Sequence, residues 1–156
     1  MFLPSRPSPD QIRAFISSQE RKPFSYPEVG ASRDIAPRGY NLDHTRIHLG
    51  NGRQVFEGAI KAIRQWKMFE MARLSLCWPG TRIEVGATVA VLVAHLGFWS
   101  LNSCRIVYLI DERGPVERFG FAYGTLTEHA EIGEERFSVE FHASEQAVWY
   151  DLYAFS

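Results

Sequence analysis

The stretch Asp43-His44-Thr45-Arg46 is the densest group of side chains in this sequence that could do chemistry near a strand. An aspartate beside a histidine can orient the imidazole for general-base work. Neighbours on a strand point to opposite faces, so Asp43 and His44 do not easily share a hydrogen bond, whereas His44 and Arg46 lie on one face. We therefore expect Arg46 to pair with an acidic residue of a later strand. A ligand-binding role for Arg46 is the alternative.

The segment that begins at Trp99 mixes polar and apolar residues on both faces of a predicted strand. Period-two alternation places Asn102 and Tyr108 on one face and Trp99 and Arg105 on the other. Such polar groups either meet internal partners or line a wet cavity, and both readings stay open. Arg105 is the main candidate for an anion anchor, because a guanidinium holds a carboxylate or phosphate through two N–H groups. With Tyr108 it would meet the acidic end of a ligand, and Asn102 and Trp99 would line the same cavity.

A pair of adjacent carboxylates, Glu134 and Glu135, resembles the pair of a two-acid mechanism. Consecutive strand residues face oppositely, so only one of the two can enter a cavity. Glu135 shares the period of Phe137, and a carboxylate on an apolar face needs a partner or a raised pKa. We predict pairing of Glu135 with an arginine, with catalysis as the alternative.

Tyr123, a further candidate ligand contact, alternates with small residues along its predicted strand. The face of the strand formed by these small residues indicates either a bend or room for a ligand.

The five histidines, His44, His48, His95, His129 and His142, lie on separate predicted elements, and no pair or quartet has the spacing of metal ligands. No metal site is predicted. Phosphate-binding loops, dinucleotide fingerprints and nucleophile elbows are also missing, so no cofactor is expected. If the protein is an enzyme, the candidate acids and bases are His44, His95 and Glu135.

Charge is divided unevenly along the chain, although the net charge is only −1. Residues 1–110 include 14 basic and 8 acidic residues, whereas residues 111–156 include 3 basic and 10 acidic residues. The charges alternate with apolar residues and form no basic stripe, and no nucleic-acid motif is present. We expect no nucleic-acid partner.

With 156 residues and 46% hydrophobic composition, the sequence suits one domain, 1–156, preceded by a flexible lead over 1–9. Cys77 and Cys104 form no CxxC pair and are read as reduced core thiols. Apolar runs such as 89–93 are too short to span a bilayer, and the proline-rich lead lacks the apolar region of a signal peptide. The expected location is the cytoplasm.

The apolar spacing predicts an α+β fold. Asp10 is the predicted cap of a short helix, and a long amphipathic helix is predicted over 54–72. Runs rich in β-branched and aromatic residues predict seven strands joined by short turns, which favours an antiparallel meander. These strands are 40–49, 74–78, 85–95, 99–111, 117–126, 134–142 and 147–155. A sheet of about six to seven strands curved around the long helix is a helix-grip-like arrangement with a cavity between sheet and helix.

Several stretches of the sequence resemble the family called DUF1990 or UPF0548, a domain of unknown function. They are residues 24–30 (FSYPEVG), 39–46 (GYNLDHTR), 49–50 (LG), 66–69 (WKMF), 86–90 (GATVA), 99–108 (WSLNSCRIVY), 119–126 (FGFAYGTL), 129–137 and 149–151 (WYD). The resemblance implies a helix-grip fold similar to the lipid-transfer and polyketide-cyclase superfamily. A further helix normally follows the last strand of that fold, so the end at Ser156 indicates either a missing segment or a more open groove.

Members of that superfamily mostly bind apolar or amphipathic small molecules, and a minority catalyse cyclisation, dehydration or hydrolysis in the same cavity. The resemblance therefore implies a small-molecule binding module whose ligand is apolar or amphipathic. An enzyme of the cyclase or hydrolase kind and a protein-interaction domain are the alternatives.

Overall fold

The computed structural model describes all 156 residues, which form eight strands and two α-helices. The strands are β1 (Phe2–Leu3), β2 (Leu42–Asn51), β3 (Leu74–Cys77), β4 (Thr88–Ala94), β5 (Trp99–Glu112), β6 (Val116–Thr125), β7 (Glu134–His142) and β8 (Ala147–Phe155). The helices are α1 (Pro9–Gln19) and α2 (Arg53–Arg64), and short 3-10 turns cover Ala31–Arg33 and Lys67–Phe69. The fold is thus α+β, as expected, and all seven predicted strands are present.

All strands belong to one antiparallel sheet in the order β2-β8-β7-β6-β5-β4-β3, which curls into a half-barrel. The eighth strand lies in the predicted lead, where Phe2 and Leu3 pair with the start of β5. No helix has both the length and the apolarity needed to cross a membrane.

Helix α2 packs on one face of the sheet and contributes to its main core. Fifteen buried residues fill the space between them, among them Phe56, Trp66, Phe121, Phe137 and Phe141. The predicted helix over 54–72 is therefore too long: the α-helix ends at Arg64 and Trp66 has a left-handed backbone with φ of 57°. Trp66 and Phe69 still face the core, which is why helical spacing continues past the end of the helix.

Helix α1 packs on the opposite face, over β3 to β5, where Ile12 and Phe15 contact Ala90, Leu92 and Leu101. Its cap is Ser8, two residues earlier than the predicted Asp10. The Ser8 hydroxyl accepts a bond from the Gln11 amide at 3.2 Å, and the Gln11 side chain accepts one from the Ser8 amide at 2.8 Å. This reciprocal capping box leaves Asp10 in the first turn. A carboxylate there stabilises the helix, because it lies near the positive end of the helix dipole.

Candidate functional site

The sheet face that turns away from α2 is polar from β2 across to β5. Directly paired residues on neighbouring antiparallel strands share a face, so the register brings the side chains of β2, β8, β7, β6 and β5 together. They form a groove of 540 Å³, which we call the polar groove. Its lining residues are Arg33, Asp34, His44, Arg46, Tyr108, Leu109, Ile110, Asp111, Glu112, Arg118, Arg136, Ser138, Glu140 and Asp151.

Asp151 lies at the floor of the polar groove with 3% of its side chain exposed. It accepts hydrogen bonds from His44 Nε2 at 2.8 Å, Arg46 at 3.0 Å and Arg136 at 3.0 Å. Burial alone would raise the pKa of Asp151, but the bonds from His44, Arg136 and Arg46 outweigh burial and lower the pKa. Asp151 is therefore held as a carboxylate.

Glu140 is the second carboxylate of the floor, with 9% of its side chain exposed. It accepts hydrogen bonds from Arg46 at 3.0 Å, Arg118 at 3.2 Å and His142 at 2.9 Å. Burial opposes ionisation, but these partners lower the pKa of Glu140. Arg46 thus bridges both carboxylates, which confirms that it pairs with acidic residues of later strands and shares a face with His44.

Tyr108 reaches the polar groove because β5 contains a bulge. The register shifts between Ile106 and Tyr108, so Ile106 faces the α2 core while Tyr108 faces away from it. The prediction that Tyr108 shares a face with Asn102 was therefore wrong. The Tyr108 hydroxyl lies 2.7 Å from the Ser32 hydroxyl, and the Arg33 guanidinium carbon lies 4.1 Å from the Tyr108 ring centre.

Glu134, with 2% of its surface exposed, fixes the segment that carries Arg33. It accepts hydrogen bonds from the Tyr26 hydroxyl at 2.6 Å, the Gly30 amide at 2.7 Å and the Ser32 amide at 3.0 Å, and the Ser32 hydroxyl also donates to it. Sequence reasoning missed this role, because the partners lie more than 100 residues away. The one sequence feature that pointed to this contact was Gly124. A Cβ at that position would overlap the Tyr26 hydroxyl, so the missing side chain makes room for Tyr26.

Glu135 and Tyr123 lie apart from the polar groove, on the α2 face of the sheet. The Tyr123 hydroxyl donates to Glu135 at 2.9 Å, so the predicted arginine partner was wrong. Burial raises the pKa of Glu135, and the bond from Tyr123 only partly opposes that effect. Both residues line a 280 Å³ pocket with Asp43 and His129, and burial lowers the pKa of His129 to about 4.

The other predicted residues have structural partners. Arg105 donates to the backbone carbonyls of Gln19 at 2.9 Å and Glu20 at 2.8 Å, and it contacts Thr88. These bonds connect the end of α1 to the sheet. The positive charge of Arg105 also stabilises α1, because it lies near the negative end of the helix dipole.

Near the start of β5, the Ser100 hydroxyl contacts both Asn102 and His95, at 3.0 and 2.9 Å. Trp99 packs beneath Arg6. Of the nine predicted site residues, His44, Arg46 and Tyr108 line the polar groove, and Tyr123 and Glu135 line the 280 Å³ pocket.

The comparisons with known proteins give a family and no activity. The family model "Domain of unknown function (DUF1990)" matches residues 25–156. A UPF0548 protein of Dictyostelium discoideum is 34% identical over all of this chain and 81% of its own length. A UPF0548 protein of Deinococcus radiodurans is 38% identical over all of this chain and 82% of its own length. A UPF0548 protein of Arabidopsis thaliana is 33% identical over 79% of this chain and 60% of its own length. No solved structure matches. The predicted resemblance is confirmed, and the chain belongs to the DUF1990 (UPF0548) family.

Proposed function

We propose that this protein binds a small molecule through a carboxylate or phosphate group in the polar groove. The observation that supports it is the convergence of three arginines, Arg46, Arg118 and Arg136, on only two buried carboxylates. At the floor, three guanidinium groups thus meet two carboxylates. The other acidic residues of the lining, Asp34, Asp111 and Glu112, are exposed at its rim, where Glu112 also pairs with Arg118 at 3.3 Å. Arg33 adds a further guanidinium at the wall and has no carboxylate within 4.0 Å.

The arginines also retain hydrogen-bonding capacity. A guanidinium carries five N–H groups, and Arg46 and Arg118 each use two of them on carboxylates. Arg46 has 36% and Arg118 has 45% of its side chain exposed, so a ligand can approach both. Oxyanions suit such a site, because paired N–H groups match their geometry.

This proposal changes the ligand expected from the sequence. The apolar or amphipathic ligand was expected between the sheet and the helix, but the buried aromatic residues of the main core occupy that space. The proposed ligand still has an acidic group. Tyr108 remains a candidate contact for that group, and Arg33 and Arg46 replace Arg105.

Isothermal titration calorimetry with inorganic phosphate, acetate and succinate tests the proposal. We expect binding by at least one of these anions, weakening as ionic strength rises. Arg33→Ala and Arg118→Ala should each weaken it by about tenfold, since one charge-assisted hydrogen bond contributes about 1.5–3 kcal/mol. Arg38→Ala is the matched control, because Arg38 is exposed and lies outside the groove. Absence of binding by all three anions, or equal affinities in every variant, would refute the proposal.

A hydrolase or cyclase is the second candidate function, and the observation that favours it is the 2.8 Å contact between His44 and Asp151. A buried carboxylate that orients a half-exposed imidazole is the arrangement of a general base. Hydrolysis of p-nitrophenyl acetate is a first assay. His44→Gln should abolish turnover, and turnover equal to that of free imidazole would remove this candidate.

A further inference from the structure

A second pocket lies where α2 ends, on the opposite face of β5 and β6 from the polar groove. It has a volume of 560 Å³, and we call it the helix-end pocket. Its walls are the last residues of the helix, the loop between β3 and β4, and the adjoining ends of β5 and β6. The lining residues are Arg64, Gln65, Pro79, Gly80, Thr81, Arg82, Ile83, Leu109, Ile110, Asp111, Phe119 and Gly120.

The main core holds two walls of the helix-end pocket in place. Trp66, with only 1% of its surface exposed, follows the helix and donates its indole N–H to the Thr81 carbonyl at 2.8 Å. The same ring packs against Phe121 with centroids 4.9 Å apart. One side chain thus links the end of α2, the loop 79–83 and β6, so the pocket is formed before any ligand arrives.

The floor of the helix-end pocket is apolar. Ile83 and Phe119 pack against the edge of the main core and remain partly accessible. Leu109 lies in the last part of β5, beyond the residues that pair with β4, and leaves 43% of its surface exposed. Burying these three side chains beneath an apolar chain would favour binding, because it removes apolar surface from water.

The rim of the same pocket carries two arginines without carboxylate partners. Neither Arg64 nor Arg82 has a side-chain oxygen of an acidic residue within 4.0 Å, whereas the one acidic residue of the lining, Asp111, pairs with Arg113 at 3.5 Å. The Arg64 guanidinium carbon lies 4.8 Å from the Phe119 ring centre, so positive charge is held directly above the apolar floor. Arg64 also stabilises α2, because its positive charge lies near the negative end of the helix dipole. Arg82, on the loop, has no such role.

We infer that the helix-end pocket binds an amphipathic anion, such as a medium-chain carboxylate, with its head between Arg64 and Arg82 and its chain over Ile83, Leu109 and Phe119. Charge complementarity selects this class: an unpaired cation above an apolar surface favours a ligand that is negative at one end and apolar along the rest. A cation of the same chain length would meet two like charges. The polar groove shares Leu109, Ile110 and Asp111 with this pocket, but none of its arginines, which lie on the other face of the sheet.

Titration of the intact protein with sodium decanoate, followed by amide chemical shifts in ¹H–¹⁵N NMR, tests this inference. The largest shift changes are expected at residues 64–65, 80–83, 109–111 and 119–120. Decyltrimethylammonium, which has the same chain and the opposite charge, should bind at least tenfold more weakly. Acetate, which lacks the chain, should leave the signals of residues 64–65, 80–83 and 119–120 unchanged, whereas residues 109–111 also line the polar groove.

Arg64→Ala and Arg82→Ala should each weaken decanoate binding by about tenfold, and Leu109→Ser should weaken it as well. Arg73→Ala is the matched control, because Arg73 is exposed and lies outside the pocket. Arg33→Ala, which tests the polar groove, should leave decanoate affinity unchanged. The inference is overturned if decanoate fails to bind, if both charged amphiphiles bind equally, or if the shift changes lie elsewhere.

Discussion

At the scale of single residues, the adjacent acids Glu134 and Glu135 have opposite surroundings. Glu134 points to the face away from α2 and accepts hydrogen bonds from three residues of the segment 26–32. Glu135 points to the α2 face, where Tyr123 is its one hydrogen-bond partner. Glu134 therefore serves as the acceptor for several donors, whereas the surroundings of Glu135 favour its protonated form.

Replacing Glu134 with alanine should lower the free energy of unfolding by about 3 kcal/mol. The change removes the acceptor of Tyr26, Gly30 and Ser32, and each buried donor left without a partner costs about 1–3 kcal/mol. Urea denaturation followed by circular dichroism measures the difference. Glu131→Ala, at an exposed position on the preceding turn, is the control and should change stability by less than about 0.5 kcal/mol. A similar loss in both variants would contradict this role of Glu134.

Glu135→Gln should stabilise the protein increasingly as pH rises from 4 to 7. Burial raises the pKa of Glu135 above its value in the unfolded chain, so the unfolded state loses this proton first. Stability is then greatest below the unfolded pKa of about 4.3 and falls as pH rises from that value to the folded pKa. Glutamine cannot ionise and avoids this loss. Urea midpoints across the range measure it, and a pH-independent difference between the two proteins would show that ionisation of Glu135 is not the cause.

The sequence predicted the faces of these side chains better than their partners. Period-two spacing correctly placed Glu135 with Phe137 and put His44 and Arg46 on one face, because alternation is a local property of a strand. It could not predict that Glu135 bonds to Tyr123 or that Glu134 bonds to Tyr26. Those contacts depend on which strands are neighbours and on how a loop 100 residues earlier crosses the sheet.

At the scale of elements, the seven predicted strands lie within about three residues of their observed bounds, whereas β1, a bulge and a helix end were not predicted. The bulge in β5 lies in a run of apolar residues with no glycine, and it moves Tyr108 to the polar groove. The end of α2 was hidden because Trp66 and Phe69 keep facing the core after the helical backbone has stopped. Apolar spacing reports the direction of a side chain and leaves open whether the backbone is an α-helix or a turn.

The capping box of α1 gives a prediction for a whole element. Ser8→Ala removes the acceptor of the Gln11 amide and should cost about 1 kcal/mol of unfolding free energy. Ser5→Ala is the control, because Ser5 is exposed and its side chain makes no hydrogen bond with the protein. Thermal denaturation of the three proteins compares them. If the two variants lost equal stability, the box would contribute nothing specific to α1.

At the scale of the molecule, the two helices attach to the sheet unequally. Helix α2 shares the main core of 15 buried residues, whereas α1 rests on a separate cluster of six. The residues matched by the family model begin at position 25, after α1 has ended. The central strands and α2 thus form one packed unit that bears both candidate sites, and α1 is an attached layer over β3 to β5.

This division predicts that α1 opens before the rest of the molecule unfolds. Arg105 donates to the backbone carbonyls of Gln19 and Glu20, so Arg105→Ala removes two of the three hydrogen bonds between the sheet and the end of α1; the bond from Ser103 to the Gln19 side chain remains. Hydrogen exchange read by mass spectrometry should become at least tenfold faster in residues 9–20, because loss of such contacts lowers the free energy of local opening by more than about 1.4 kcal/mol. Exchange in β7 and β8 should remain at the wild-type rate, and Arg73→Ala should change neither region. Faster exchange in all segments of the Arg105 variant would instead mean that α1 and the sheet unfold as one cooperative unit.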